Sequence, residues 1–129
     1  MELDRVKYWT ELSDYDLETA EVMYSAGRWL YVGFMCHQAL EKIIKAYWSG
    51  RKTEPAPMSH NLFNIAQSCG LNALFSENQL DFISEMIPLN IEARYPSYKK
   101  NISDSLSEAR CRDILEKTKE LQQWIKNRL

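Results

Sequence analysis

Apolar residues return at three- to five-residue steps along most of the chain, the period of helices that bury one face. Between residues 4 and 26 the series is Val6, Trp9, Leu12, Leu17, Ala20 and Met23, and Gly27 is placed to end it. A second helix is predicted over 28–49, with Leu30, Phe34, His37, Leu40, Ile44 and Tyr47 on one stripe and Gly50 closing it. Residues 51–59 hold two prolines and no periodicity, the mark of a loop. Ser59 is positioned to cap a short helix over 60–69 that stops at Gly70. Ser76 and Gln79 stand at capping-box spacing, and Leu80, Ile83, Ile87 and Ile91 follow at helical steps. Pro88 lacks an amide hydrogen and predicts a kink or break. Pro96 pushes Tyr95 out of the helical region, so this helix is expected to end near Arg94. After a polar loop over 96–104, a last helix over 105–127 turns Leu106, Ala109, Leu115, Thr118, Leu121 and Ile125 inward. No strand-like alternation persists. The pattern predicts an all-α fold: an up-and-down four-helix bundle with one extra short helix, forming a single domain over residues 1–129.

Composition narrows the class. The chain has 129 residues, enough for one well-formed core, with 45% hydrophobic and 26% charged residues, as in ordinary globular proteins. The longest apolar run, WLYVGFMC, is far short of the roughly 20 residues a membrane span needs, so no membrane partner is expected. The charged N-terminus shows no secretory layout. Cys36, Cys69 and Cys111 are odd in number and scattered, which favours reduced thiols and a cytoplasmic setting. Net charge is −2 but uneven: residues 1–93 hold 7 basic and 13 acidic side chains, and residues 94–129 hold 9 basic and 5 acidic. The overall charge does not announce a nucleic-acid binder, yet the basic C-terminal third leaves room for a local phosphate site.

Polar residues on the second helix carry the candidate chemistry. At about 100° per residue, His37 and Glu41 both fall within about 20° of Leu30, inside the apolar stripe, with Gln38 and Lys45 on its margin. A carboxylate in a bundle needs a cation or hydrogen-bond donors. Arg94, at a helix end beside Tyr95 and a rigid proline, is the expected partner of Glu41. The same segment supports a second reading, in which Arg94, Tyr98, Lys99 and Lys100 hold a phosphate-bearing ligand. His60 stands at the start of the short helix, either as part of its start or as a general acid or base. Two histidines and scattered thiols make no metal ligand set, and no cofactor is expected.

These residues resemble the HEPN (higher eukaryotes and prokaryotes nucleotide-binding) family. The core Gln38-Ala39-Leu40-Glu41-Lys42-Ile43-Ile44-Lys45 is similar to its Gln-Ala-x-Glu-Lys-x-x-Lys helix, preceded by Gly27-Arg28. His60-Asn61-Leu62 resembles its His-x-Leu, Ala93-Arg94-Tyr95-Pro96 its Arg-Tyr-Pro, and residues 12–23 its first helix. The resemblance implies a helical bundle, often a homodimer, in toxin–antitoxin or defence systems beside a minimal nucleotidyltransferase. Many family members are metal-independent ribonucleases whose motif sets a His four to six residues after an Arg. Here Arg28 and Arg51 each precede a His with eight residues between, and no His follows Arg94, so that motif is absent.

Three readings follow. In the first the chain is a non-catalytic module for a nucleotide or nucleic-acid phosphate. Arg94, Lys45 and Lys99 contact phosphate, Tyr95 or Tyr98 stacks on a base, and Gln38, Glu41 and His60 arrange the polar groups. In the second it is a ribonuclease that uses His60 and Arg94. In the third it is a structural helical dimer whose polar cluster fixes packing.

Overall fold

The computed structural model describes residues 4–90 and 104–129. Among the described residues five α-helices carry the fold: α1 (Arg5–Ser25), α2 (Trp29–Arg51), α3 (Leu62–Ser68), α4 (Glu77–Met86) and α5 (Glu108–Lys126). Short 3-10 turns cover Leu71–Leu74 and Ile87–Asn90. Among the described residues there is no strand, so the chain is all-α as its periodicity predicts.

α2 is the central element. It lies against α1 along much of its length and also packs on α3, α5 and the second 3-10 turn. From Ile43 to Trp48 every residue is buried, so α2 is enclosed on all sides in its second half. Gly33 allows a close approach on this helix. A Cβ there would stand 3.2 Å from Leu89 Cδ1 and 3.6 Å from Leu106 Cδ1.

Helix ends follow local chemistry. Asp4 caps α1 by accepting from the Lys7 amide, and Ser107 caps α5 by accepting from the Arg110 amide. The capping box is present: Ser76 accepts from the Gln79 amide, and the Gln79 side chain accepts from the Ser76 amide. Gly27 has φ +70°, the left-handed conformation that lets the chain turn from α1 into α2.

Several element bounds differ from those the periodicity predicts, and the last helix starts at Glu108 rather than 105. α2 continues through Gly50 to Arg51, because packing of Tyr47 and Trp48 holds the last turn against the core. The short helix starts at Leu62, with Asn61 rather than Ser59 as its cap; Ser59 Oγ accepts from the Asn61 amide instead. The Leu71–Leu74 turn gave no periodic signal, being one turn long. α4 ends at Met86 and tightens into a 3-10 turn that contains Pro88. The expected continuation to Arg94 lies outside the described residues. Of the residues predicted inward on the last helix, Ala109 is exposed in the first turn, and Leu106 is buried just ahead of the helix.

Candidate functional site

Two rows of polar side chains leave α2. The inner row begins with Glu41, which is 1% exposed, and Lys45, 5% exposed. One helical turn separates them, and Lys45 Nζ sits 3.2 Å from Glu41 Oε2. An acid four residues before a lysine is the favoured order for such a pair. Lys45 Nζ also lies 5.2 Å from the centroid of the Trp9 ring on α1, so an aromatic face covers the ammonium. Burial makes both charges dependent on this arrangement.

His60 completes the cluster from the loop before α3. Its Nδ1 lies 3.2 Å from each Glu41 carboxylate oxygen. The side chain is 68% exposed while that of Glu41 is 2% exposed. The imidazole therefore joins a buried acid to solvent. An Nδ1 facing a carboxylate carries the proton, and this sets Nε2 as the outward atom. Among the described residues Nε2 has no hydrogen bond. Neutral, it accepts a proton or hydrogen bond; protonated, it donates one to an anionic oxygen.

His37 lies one turn before Glu41 and is 1% exposed. Its Nδ1 has no hydrogen-bond partner among the described residues. Burial drives its pKa down to about 4, further lowered by His60 and Lys42 and opposed by Glu41. It stands neutral in the core at neutral pH.

The outer row runs across three elements. Lys42 Nζ donates to Asp16 Oδ2 on α1 at 3.0 Å and to Gln38 Oε1 at 3.2 Å. Gln38 Nε2 then donates to Asn90 Oδ1 at 2.9 Å, in the turn that follows α4. These bonds tie α1, α2 and the end of α4 together.

Of the residues singled out in the sequence, Glu41, Lys45 and His60 come together, and Gln38 stands in the adjoining row. Arg94, Tyr95, Tyr98 and Lys99 lie outside the described residues, as does the expected Arg94–Glu41 pair. The partners found for Glu41 are Lys45 and His60. Lys45, read as marginal to the apolar stripe, is enclosed because Trp9 reaches over it from α1.

A further network escaped the sequence reading. Ser13 Oγ donates to the Ala39 carbonyl at 2.6 Å and accepts from Gln122 Nε2 at 2.9 Å. Gln122 also donates to Asp14, which Lys126 Nζ meets at 2.6 Å. Ser13 shares the buried face of α1 with Leu17 and Ala20, and that placement was a usable signal.

Burial holds two of the three thiols protonated. Burial pushes the Cys36 thiol up to about 12 and that of Cys111 up to about 11, so neither is a thiolate near neutral pH. Among the described residues no group of three or more His, Cys, Asp or Glu could hold a metal ion.

A family model described as HEPN domain matches residues 6–128, nearly the whole chain. The chain belongs to the HEPN domain family. It is also similar to the crystal structure of TT1696 from Thermus thermophilus. That likeness has a TM-score of 0.82 and 15% identity over 98% of this chain and 100% of the other, and it is one of fold. Among curated proteins, no sequence matches this chain significantly. No helix among the described residues is long and apolar enough to cross a membrane.

Proposed function

We propose that this HEPN domain binds the phosphate of a nucleotide or nucleic acid, beside a minimal nucleotidyltransferase in a toxin–antitoxin or defence-type system. The observation that carries the reading is the exposed His60 ring fixed by the buried Glu41–Lys45 pair. A histidine of set tautomer offers an oriented Nε2 to an anionic oxygen, and its orientation is settled before the ligand arrives. Gln38 places an amide in the neighbouring row. In this proposal Lys45 acts through Glu41 rather than by direct contact, and Arg94, Tyr95, Tyr98 and Lys99 supply the remaining phosphate and base contacts. The system and the nucleotidyltransferase partner rest on family membership alone, as does a homodimer, which sedimentation of the purified chain checks.

Calorimetry with ATP and the other common nucleotides tests the reading. Heat of binding is expected at millimolar ligand, with at least a tenfold weaker affinity for His60→Ala. That variant removes an exposed ring, and circular dichroism confirms its fold. A folded wild-type chain that gives no heat with any nucleotide or short RNA would overturn the proposal.

The same Glu41–His60 pair favours one alternative, metal-independent RNA cleavage with His60 as acid–base. Cleavage lost in His60→Ala supports it. Equal cleavage by both proteins identifies a contaminant.

A further inference from the structure

α1 has two apolar faces. The inner one carries Ser13, Leu17 and Ala20, all buried. The outer one carries Tyr8, Leu12, Tyr15, Thr19 and Val22, at alternating steps of four and three residues. At about 100° per residue these five share a sector about 80° wide, on the side opposite Leu17. Alternating four and three is the heptad spacing of a helix seam that meets another helix. Three members stay uncovered, Tyr8 at 47% exposed, Tyr15 at 68% and Val22 at 62%, while Leu12 and Thr19 between them are half-buried. From Tyr8 to Val22 the seam extends over two heptads of α1, about 21 Å at 1.5 Å per residue.

Charge around the seam tells what covers it. The acids on the flanks turned toward the bundle are all neutralised: Asp14 by Lys126 at 2.6 Å, Asp16 by Lys42 at 3.0 Å and Glu21 by Lys119 at 3.0 Å. The two acids beside the outer seam meet no cation from another helix among the described residues. Glu11 is 3.9 Å from Lys7, with both side chains about two-thirds exposed, and Glu18 has no ion pair among the described residues. Both lie on one flank, about 40° and 60° from Tyr15.

A second α1 fits this face badly. Packed antiparallel about Tyr15, it would set Glu18 against the Glu11 of its mate, like charge on like. Packed parallel, it brings no free cation opposite either acid, because the cations of α1, Arg5 and Lys7, lie at its first turns and Arg5 donates to the Thr53 carbonyl. We infer that the outer face of α1 docks an amphipathic helix of another protein, one with an apolar heptad seam and lysine or arginine along the flank facing Glu11 and Glu18. Apolar seam residues supply affinity, and flank charges select the partner. The surface shares no residue with the His60 cluster and does not depend on the phosphate reading.

Two labelled peptide helices of about four heptads test it by fluorescence anisotropy against the full chain. Both have a Leu/Ile seam; one has Lys on its flanks and the other Glu. Wild type is expected to bind the Lys peptide at least tenfold more tightly than the Glu peptide. Tyr15→Asp, at an exposed position that leaves the fold intact by circular dichroism, should weaken binding at least tenfold. Glu11→Lys with Glu18→Lys should reverse the preference, while His60→Ala binds as wild type. Equal binding of both peptides, binding of neither, or no effect of Tyr15→Asp would overturn the inference. So would a dimer without peptide that Tyr15→Asp converts to monomer, because a second copy would then occupy the face.

Discussion

Glu41–Lys45 and Lys7–Glu11 are both pairs of opposite charge at four-residue spacing on neighbouring helices. The first is 3.2 Å long with side chains 2% and 6% exposed; the second is 3.9 Å long with side chains 71% and 67% exposed. Spacing is the same, and surroundings make the difference. On α1 water solvates both ions whether or not they meet, so the pair adds little. On α2 neither ion has water to return to, and each depends on the other, on His60 and on Trp9. An ion pair that contributes little net stability can still fix geometry, and here it fixes the histidine that reaches solvent.

The sharpest way to break the contrast is Glu41→Ala. It strands a buried ammonium and should destabilise the fold by about 3–5 kcal/mol in urea unfolding. Glu41→Leu with Lys45→Met should cost clearly less than the sum of the two single changes, since no charge is left alone. Additive losses would show that the two side chains do not depend on each other.

Lowering the pH attacks the same region. His37 titrates near 6.5 when unfolded and at about 4 when folded. Between these values the unfolded chain holds the extra proton, so stability is complete above pH 6.5 and falls as pH drops toward 4. The His37 contribution is on the order of 3 kcal/mol across that window. His37→Gln should flatten this part of the stability–pH curve, measured by urea unfolding at several pH values. An unchanged slope would mean that His37 protonates freely in the fold.

Ser76→Ala gives an intermediate case. Its hydroxyl is exposed, yet it satisfies a backbone amide that the first turn of α4 leaves over. Thermal unfolding should show a loss of about 1 kcal/mol. The smallest effect belongs to Glu11→Ala, expected within about 0.5 kcal/mol of wild type in the same measurement. A loss as large as that of Glu41→Ala would erase the contrast between the two pairs.

Much of the bundle was legible in the sequence, because one-sided helices and their caps are local properties. The capping box at Ser76, the turn at Gly27 and the break at Pro88 each depend on a few adjacent residues. The His60-Asn61-Leu62 and Gln38–Lys45 segments pointed to the family. The ends of α2 and α3 were misplaced by one or two residues, where the packing of Trp48 and the choice of Asn61 over Ser59 decided the matter. Trp9 gave no sign in the sequence of covering Lys45, because that contact joins two helices.

The sequence alone determined that this chain forms helices, where each of them lies to within a few residues at most ends, and that Glu41 lies on a face meant for burial. Periodicity and capping suffice for this, since both act within one or two turns. Only the tertiary structure decided which cation meets Glu41, that His60 comes to it from 19 positions away, and that a tyrosine–valine stripe on α1 remains uncovered. The reason is physical: a buried charge is answered by whatever the packing brings within a few ångströms, and helix periodicity says which way a side chain faces but not what waits there.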